Sequence, residues 1–292
     1  MRRITPGSVP VVLTAVVTAV VAVLAAAAPS SAAEKPPLRY VAMGDSYSAA
    51  SGVLLPDLSS PLCLRSTRNY PKLVARAIGA RLTDVTCGAA RTVDFFAPQY
   101  PFLVPPQLNA LKPDTELVTM TIGGNDSGVF INAILSCGTS GVVSLGQGSP
   151  CQDLYGSRFS DAIEDTTYPD LVKALRAVRA KAPNARVAIL GYPEIVPPTR
   201  GCFPQLPVAE GDIPYLHGIQ ADLNSAVERA ARATGVTYVD FSTVSVGHDA
   251  CQAIGTRWVE PVVVTTNPVI VHPNALGEAE MAKQTMAVLG LR

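Results

Sequence analysis

The sequence predicts an α/β fold, a parallel sheet with helices on both faces. Two observations carry this. Five short stretches, at residues 40–43, 81–86, 116–122, 186–190 and 237–241, read as strands from their length and their β-branched, aromatic or apolar residues. Segments with apolar residues at helical spacing lie between and after them, at 70–78, at 168–182, from Asp212 or Ile213 to Thr234, and at 275–289. Strands alternating with helices in this way imply crossover connections and a sheet buried on both faces. Such sheets bind ligands outside the carboxyl ends of their strands.

Ahead of the first strand, Arg2 and Arg3 precede an uncharged run of mostly Val, Ala and Leu at 9–28. Ser31-Ala32-Ala33 then sets small residues at the −3 and −1 positions of a cleavage point before Glu34. Residues 1–33 are therefore expected to be a secretory signal peptide and residues 34–292 a single domain. The run is long enough to serve instead as a membrane anchor, but the cleavage point and the break at Pro29 favour removal. No later stretch suits a span: Val262, Val263 and Val264 are soon followed by Asn267 and Pro268. Losing Arg2 and Arg3 takes the formal charge from 0 to −2. No basic stripe remains to neutralise phosphates, so nucleic acid is not an expected partner. A monomer is expected.

All six cysteines follow the leader. An even count in an exported chain implies disulfides, and six cysteines allow 15 pairings. Sequential pairing is expected: Cys63–Cys87, Cys137–Cys151 and Cys202–Cys251, each stapling a Gly/Pro/Ser-rich loop to the framework. There is no Cys-x-x-Cys pair, and the three histidines do not cluster with the cysteines, so neither a metal nor a cofactor is expected.

The first strand ends at Gly44, and Asp45-Ser46 stand where a helix can begin. A serine at such a turn is exposed at the carboxyl edge of the sheet, beside unpaired N–H groups suited to an oxyanion; alternatively, Ser46 only caps the helix. Pro71 suits the first turn of the next helix, with Leu73, Val74, Ala77 and Ile78 as its apolar stripe and Gly79 as its end. The second strand leads into Cys87-Gly88-Ala89-Ala90-Arg91-Thr92, small residues that let a backbone approach a ligand or form an ordinary turn. The third ends in Gly123-Gly124-Asn125-Asp126. This places an amide side chain at the same edge, though the four residues also make a good turn without chemistry. Residues 136–156 are expected to be loop. Of the three histidines, His217 falls within a helix and His248 in a loop near Cys251. His272 lies in a loop between the last strand signal and the last helix, beside Pro273, which suits a base.

Gly44-Asp45-Ser46-Tyr47-Ser48, Gly123-Gly124-Asn125-Asp126 and His272-Pro273, in this order, resemble the GDSL or SGNH hydrolase family, most closely its secreted, disulfide-bonded lipases and esterases of Streptomyces-like bacteria. The likeness runs from about Tyr40 to the C-terminus. It implies a flavodoxin-like three-layer α/β/α sandwich and a secreted enzyme acting on small-molecule or lipid esters without a cofactor. Ser46 would be the nucleophile and His272 the general base. The oxyanion would be held by the N–H of Ser46, one N–H of the second block and the amide of Asn125.

The sequence departs from the family in three places. Many relatives have Cys-Ser-Gly-Ala where this chain has Cys87-Gly88-Ala89-Ala90, which leaves Gly88 and Ala89 as alternative oxyanion donors. Ala49-Ala50 follow Ser48 where Ser-Gly is usual. The usual acid position, three residues before the histidine, is Val269. Its main-chain carbonyl is the expected orienter of His272, with Asp249 or Glu260 as rivals. A carbohydrate acetylesterase or a phospholipase on the same fold is an alternative. A non-catalytic lipid- or carbohydrate-binding module is another, of a different class.

Overall fold

The five expected stretches form five parallel strands in a computed structural model that describes residues 1–3, 7–8 and 36–292. Apart from residues 1–3 and 7–8, the expected signal peptide lies outside the described residues. The strands are β1 (Arg39–Gly44), β2 (Arg81–Asp84), β3 (Leu117–Thr121), β4 (Arg186–Leu190) and β5 (Thr237–Val239), in the order β2-β1-β3-β4-β5. Tyr40 of β1 faces Leu82 on one side and Leu117 on the other. All five residues of β3 are buried, and the hydroxyls of its Thr119 and Thr121 are paired, the first with Tyr40 and Tyr70 and the second with Ser48 and Asp45. Residues 37–292 form one compact unit.

The helices are α1 (Ser46–Ala49), α2 (Tyr70–Ala77), α3 (Val129–Val143), α4 (Pro150–Tyr155), α5 (Arg158–Ala162), α6 (Tyr168–Lys181), α7 (Ile213–Thr234) and α8 (Ala275–Leu289). Their ends follow local chemistry. Asn69 caps α2 through Lys72 N–H, and Asn274 caps α8 through the N–H groups of Leu276 and Gly277. Gly235 closes α7 in the left-handed conformation. The chain leaves β1 for β2 in one direction and passes from β3 to β5 in the other. Right-handed crossovers therefore put α2 and α8, which pack together, on one face, and the packed pair α6 and α7 on the other. The order reverses between β1 and β3, and the site lies at that switch point.

One expectation is corrected: residues 136–156 are not all loop but hold the second half of α3 and all of α4. Gly138 and Gly141 together with Ser, Thr and Val give this stretch poor helix propensity. Its apolar residues also surround the helix and leave no amphipathic period. Packing supplies what propensity lacks. A Cβ on Gly141 would come within 2.3 Å of the Pro207 carbonyl oxygen, so the helix seats closely on the 202–209 loop. The Cys137–Cys151 bridge joins α3 to α4.

All three disulfides pair sequentially: Cys63–Cys87, Cys137–Cys151 and Cys202–Cys251. Among the described residues no cluster of three His, Cys, Asp or Glu side chains could hold a metal, and no helix is long and apolar enough to cross a membrane.

Candidate active site

The turn after β1 is shaped by Gly44. Its φ is +116°, and a Cβ there would lie 2.2 Å from the Thr121 carbonyl oxygen, so only glycine fits. The side chain of Gln107 fastens this residue, accepting from its N–H at 2.7 Å and donating to its carbonyl at 3.0 Å. Asp45, not Ser46, caps α1, accepting from the N–H of Tyr47 at 3.0 Å. The Ser46 hydroxyl is thus free of capping. Asp45 also accepts from Thr121 Oγ1 at 2.6 Å and Tyr192 Oη at 2.5 Å. Burial with no cation at hand pushes its carboxyl up to about 6, against the lowering effect of these hydrogen bonds.

Ser46 Oγ lies 2.8 Å from His272 Nε2, and His272 Nδ1 lies 2.7 Å from the carbonyl oxygen of Ile270. A carbonyl can only accept, so Nδ1 carries the hydrogen and the Nε2 lone pair receives the Ser46 hydroxyl. The orienter is therefore Ile270 and not Val269, a correction with a local cause. Val271 adopts a left-handed φ of +50°, which turns the loop so that the carbonyl two residues before the histidine meets its ring. Val269 instead donates its N–H to Asn267 Oδ1.

Neither rival carboxylate bonds to the His272 ring. Asp249 accepts from the Cys251 N–H and Gln252. Glu260 accepts from Arg257, Asn274 and both the N–H and hydroxyl of Thr266. Through its main chain, however, Glu260 pairs with Val271 and His272 and holds their loop. Tyr47 Oη donates to the Val271 carbonyl at 2.7 Å, tying the serine turn to this loop. The rings of Tyr47 and Phe130 flank His272 at 5.2 and 6.2 Å. Burial lowers the His272 pKa from its ordinary 6.5, partly opposed by the bond to Ile270. The imidazole is thus neutral and ready to accept a proton at neutral pH.

The second block resolves into one free donor. Gly88 N–H is spent on the Cys63 carbonyl at 2.8 Å, which removes Gly88 as an oxyanion donor. The N–H groups of Ala89 and Ser46 meet no acceptor among the described residues. Ala89 holds a φ of +61°, a conformation more usual for the glycine that many relatives carry here. Asn125 gives one amide hydrogen to the Ala90 carbonyl at 3.1 Å and keeps the other. Asp126 accepts from Thr92 N–H, and these two bonds join the second and third blocks. His217 and His248 lie elsewhere, the first bonded to the Val196 carbonyl and the second stacked on Trp258.

An apolar groove of about 320 Å³ adjoins the histidine loop, lined by Leu135, Val142 and Val143 of α3 with Pro207, Val262 and Ile270. The stretch from Ser127 to Gln152 that builds its wall carries no charged residue. Sequence reasoning missed Asp45, Tyr47, Phe130 and Tyr192 as parts of this site. The available signals were a good capping residue directly before the serine and a Gly-Tyr-Pro at a strand's carboxyl end.

A serine hydroxyl bonded to a neutral imidazole, with unpaired N–H groups at the same sheet edge, defines a serine hydrolase of flavodoxin-like fold. The family model of GDSL-like lipases and acylhydrolases matches residues 42–279. Lipase 2 of Streptomyces coelicolor is 62% identical over 267 residues, covering 91% of this chain and 90% of the relative. Two crystal structures align over 87% of this chain and 98% of their own, each with a TM-score of 0.71. They are phospholipase A1 from Streptomyces albidoflavus, 30% identical, and an extracellular lipase from Streptomyces rimosus, 31% identical. The chain belongs to the GDSL-like lipase/acylhydrolase family and is a carboxylic-ester hydrolase.

Proposed function

We propose that this chain is a secreted lipase or esterase, with residues 34–292 as its catalytic domain, that cleaves lipid esters through an acyl-enzyme on Ser46. The 2.8 Å contact from Ser46 Oγ to His272 Nε2, backed by the Ile270 carbonyl, is the observation that carries the reading. His272 Nε2 takes the hydroxyl proton as Ser46 attacks the ester carbonyl. The Ile270 carbonyl keeps hold of Nδ1–H while the imidazolium forms. The N–H groups of Ser46 and Ala89 and the free amide hydrogen of Asn125 receive the oxyanion. His272 passes the proton to the departing alcohol, and water then releases the acid by the same steps in reverse.

The apolar groove beside Ile270 supports an acyl chain as the part of the substrate that is bound, and relatives named lipase and phospholipase A1 agree with this. The leader and three disulfides support export. The absence of a basic stripe in residues 34–292 supports a reaction that involves no nucleic acid.

The test is hydrolysis of p-nitrophenyl esters from acetyl to palmitoyl by the wild type and by Ser46→Ala. The substitution should cost on the order of 10⁴–10⁶ in kcat, and the wild type should prefer chains longer than acetyl. An active Ser46→Ala enzyme would overturn the mechanism, and a strict acetyl preference would overturn the lipid substrate.

A further inference from the structure

Tyr192 sits just past the end of β4, and its main chain is fixed on both sides by Asn224. Its ring is buried, edge-on to Tyr47 with centroids 5.0 Å apart. Packing would need only the ring. The hydroxyl does something more specific: it donates to Asp45 Oδ2 at 2.5 Å and accepts from the N–H of Gly124 at 2.9 Å. Asp45 directly precedes Ser46, and Gly124 directly precedes Asn125. One oxygen atom therefore bridges the turn that carries the nucleophile and the turn that carries the amide donor. The fit at Gly124 is close, since a Cβ there would lie 2.9 Å from the same oxygen. No other side-chain hydroxyl bonds to both turns among the described residues.

We propose that Tyr192 is a positioning residue for ester hydrolysis: its hydroxyl sets the separation between Ser46 and the amide of Asn125, and so the geometry of the oxyanion site. This rests on Asn125 being an oxyanion donor. On the reading above the acyl chain lies in the groove of Leu135, Val142, Val143, Pro207, Val262 and Ile270, whose lining does not include Tyr192, so the hydroxyl of Tyr192 is expected to act on kcat and leave KM alone.

The experiment is a double-mutant cycle on p-nitrophenyl butyrate with Tyr192→Phe, Asn125→Ala and the pair, each checked for folding by circular dichroism and thermal melting. Tyr192→Phe should lower kcat about 10–100-fold, the scale of a small misplacement of reacting groups, with KM within about twofold. In the Asn125→Ala background the same substitution should cost less than about twofold, because the donor it positions is gone. Full kcat in Tyr192→Phe, or losses that multiply in the pair, would overturn the proposal. Should Asn125→Ala alone retain full kcat, the assignment of Asn125 to the oxyanion fails, and the bridge loses its purpose with it. If Tyr192→Phe does not fold, 3-fluorotyrosine at 192 keeps the ring and hydroxyl but makes the oxygen a weaker acceptor for Gly124. It should lower kcat a few-fold, and an unchanged kcat there also overturns the proposal.

Discussion

Asp45 and Glu260 are both fully buried carboxylates, each supporting one half of the Ser46–His272 pair, yet their ionisation is shifted in opposite directions. Asp45 beside the serine has three close hydrogen-bond donors and no cation, and burial lifts it to about 6. Burial pushes Glu260 up as well. There, however, the bonds from Thr266, Asn274 and the Arg257 guanidinium at 2.7 Å outweigh it, and its pKa falls below the ordinary 4.5. Donors alone do not hold a buried carboxylate ionised as firmly as donors plus a cation. The serine turn is therefore tuned by protonation, whereas the histidine loop is locked by charge.

The comparison breaks most visibly at Glu260. Glu260→Gln leaves Arg257 buried without its partner and should cost about 3–5 kcal/mol in urea unfolding, while kcat per folded molecule stays within about tenfold. A collapse of kcat in a stable fold would mean that the carboxylate, not Ile270, serves His272. At Asp45 the contrast is sharpened by pH. A carboxyl raised from an ordinary 3.8 to about 6 binds its proton more tightly in the folded state. Its stabilising effect is thus complete below about 4 and lost as pH rises through 6, about 3 kcal/mol in all. Asp126, also lifted to about 6 by burial, contributes in the same sense. Asp45→Asn should therefore flatten the fall in stability between pH 4 and 7 without abolishing it. Glu260 has the opposite sign, since its stabilisation is lost as pH falls through its lowered pKa.

Between these two supports, His272 itself sets the acid limb of activity. Because burial lowers its pKa, kcat/KM should rise with pH through an apparent value below 6.5. A limb at or above 6.5 would point to a carboxylate partner. The smallest effect belongs to Ala89→Gly. It keeps the donor N–H and relieves the left-handed conformation, so kcat should stay within about twofold and stability should rise by no more than about 1 kcal/mol.

The sheet was legible because four of its strands hold short apolar stretches and β2 lies at the edge between a helix end and a turn, and α6, α7 and α8 because their buried faces repeat at helical spacing. α3 was not legible, since its support comes from the Pro207 segment some 65 residues later in the chain. Ser46, Asn125 and His272 were legible as candidates because each falls in a short motif at the end of an element, Gly44–Ser48, Gly123–Asp126 and His272-Pro273. Choosing Ala89 over Gly88 required knowing where the Cys63 carbonyl points, and choosing Ile270 over Val269 required the backbone angle of Val271. Spacing along a chain does not encode either one. The bridge at Tyr192 is hidden for the same reason: it joins three turns that only the folded sheet brings side by side.

The carbonyl that orients His272 has a genetic consequence. An aspartate in that role can be erased by one codon change, but every amino acid supplies a main-chain oxygen. No substitution at Ile270 deletes the orienting atom, so a mutational scan of residues 266–271 should reveal tolerance governed by loop shape, with no third position as intolerant as Ser46 and His272. A point mutation in this loop can move the orienting atom but cannot remove it.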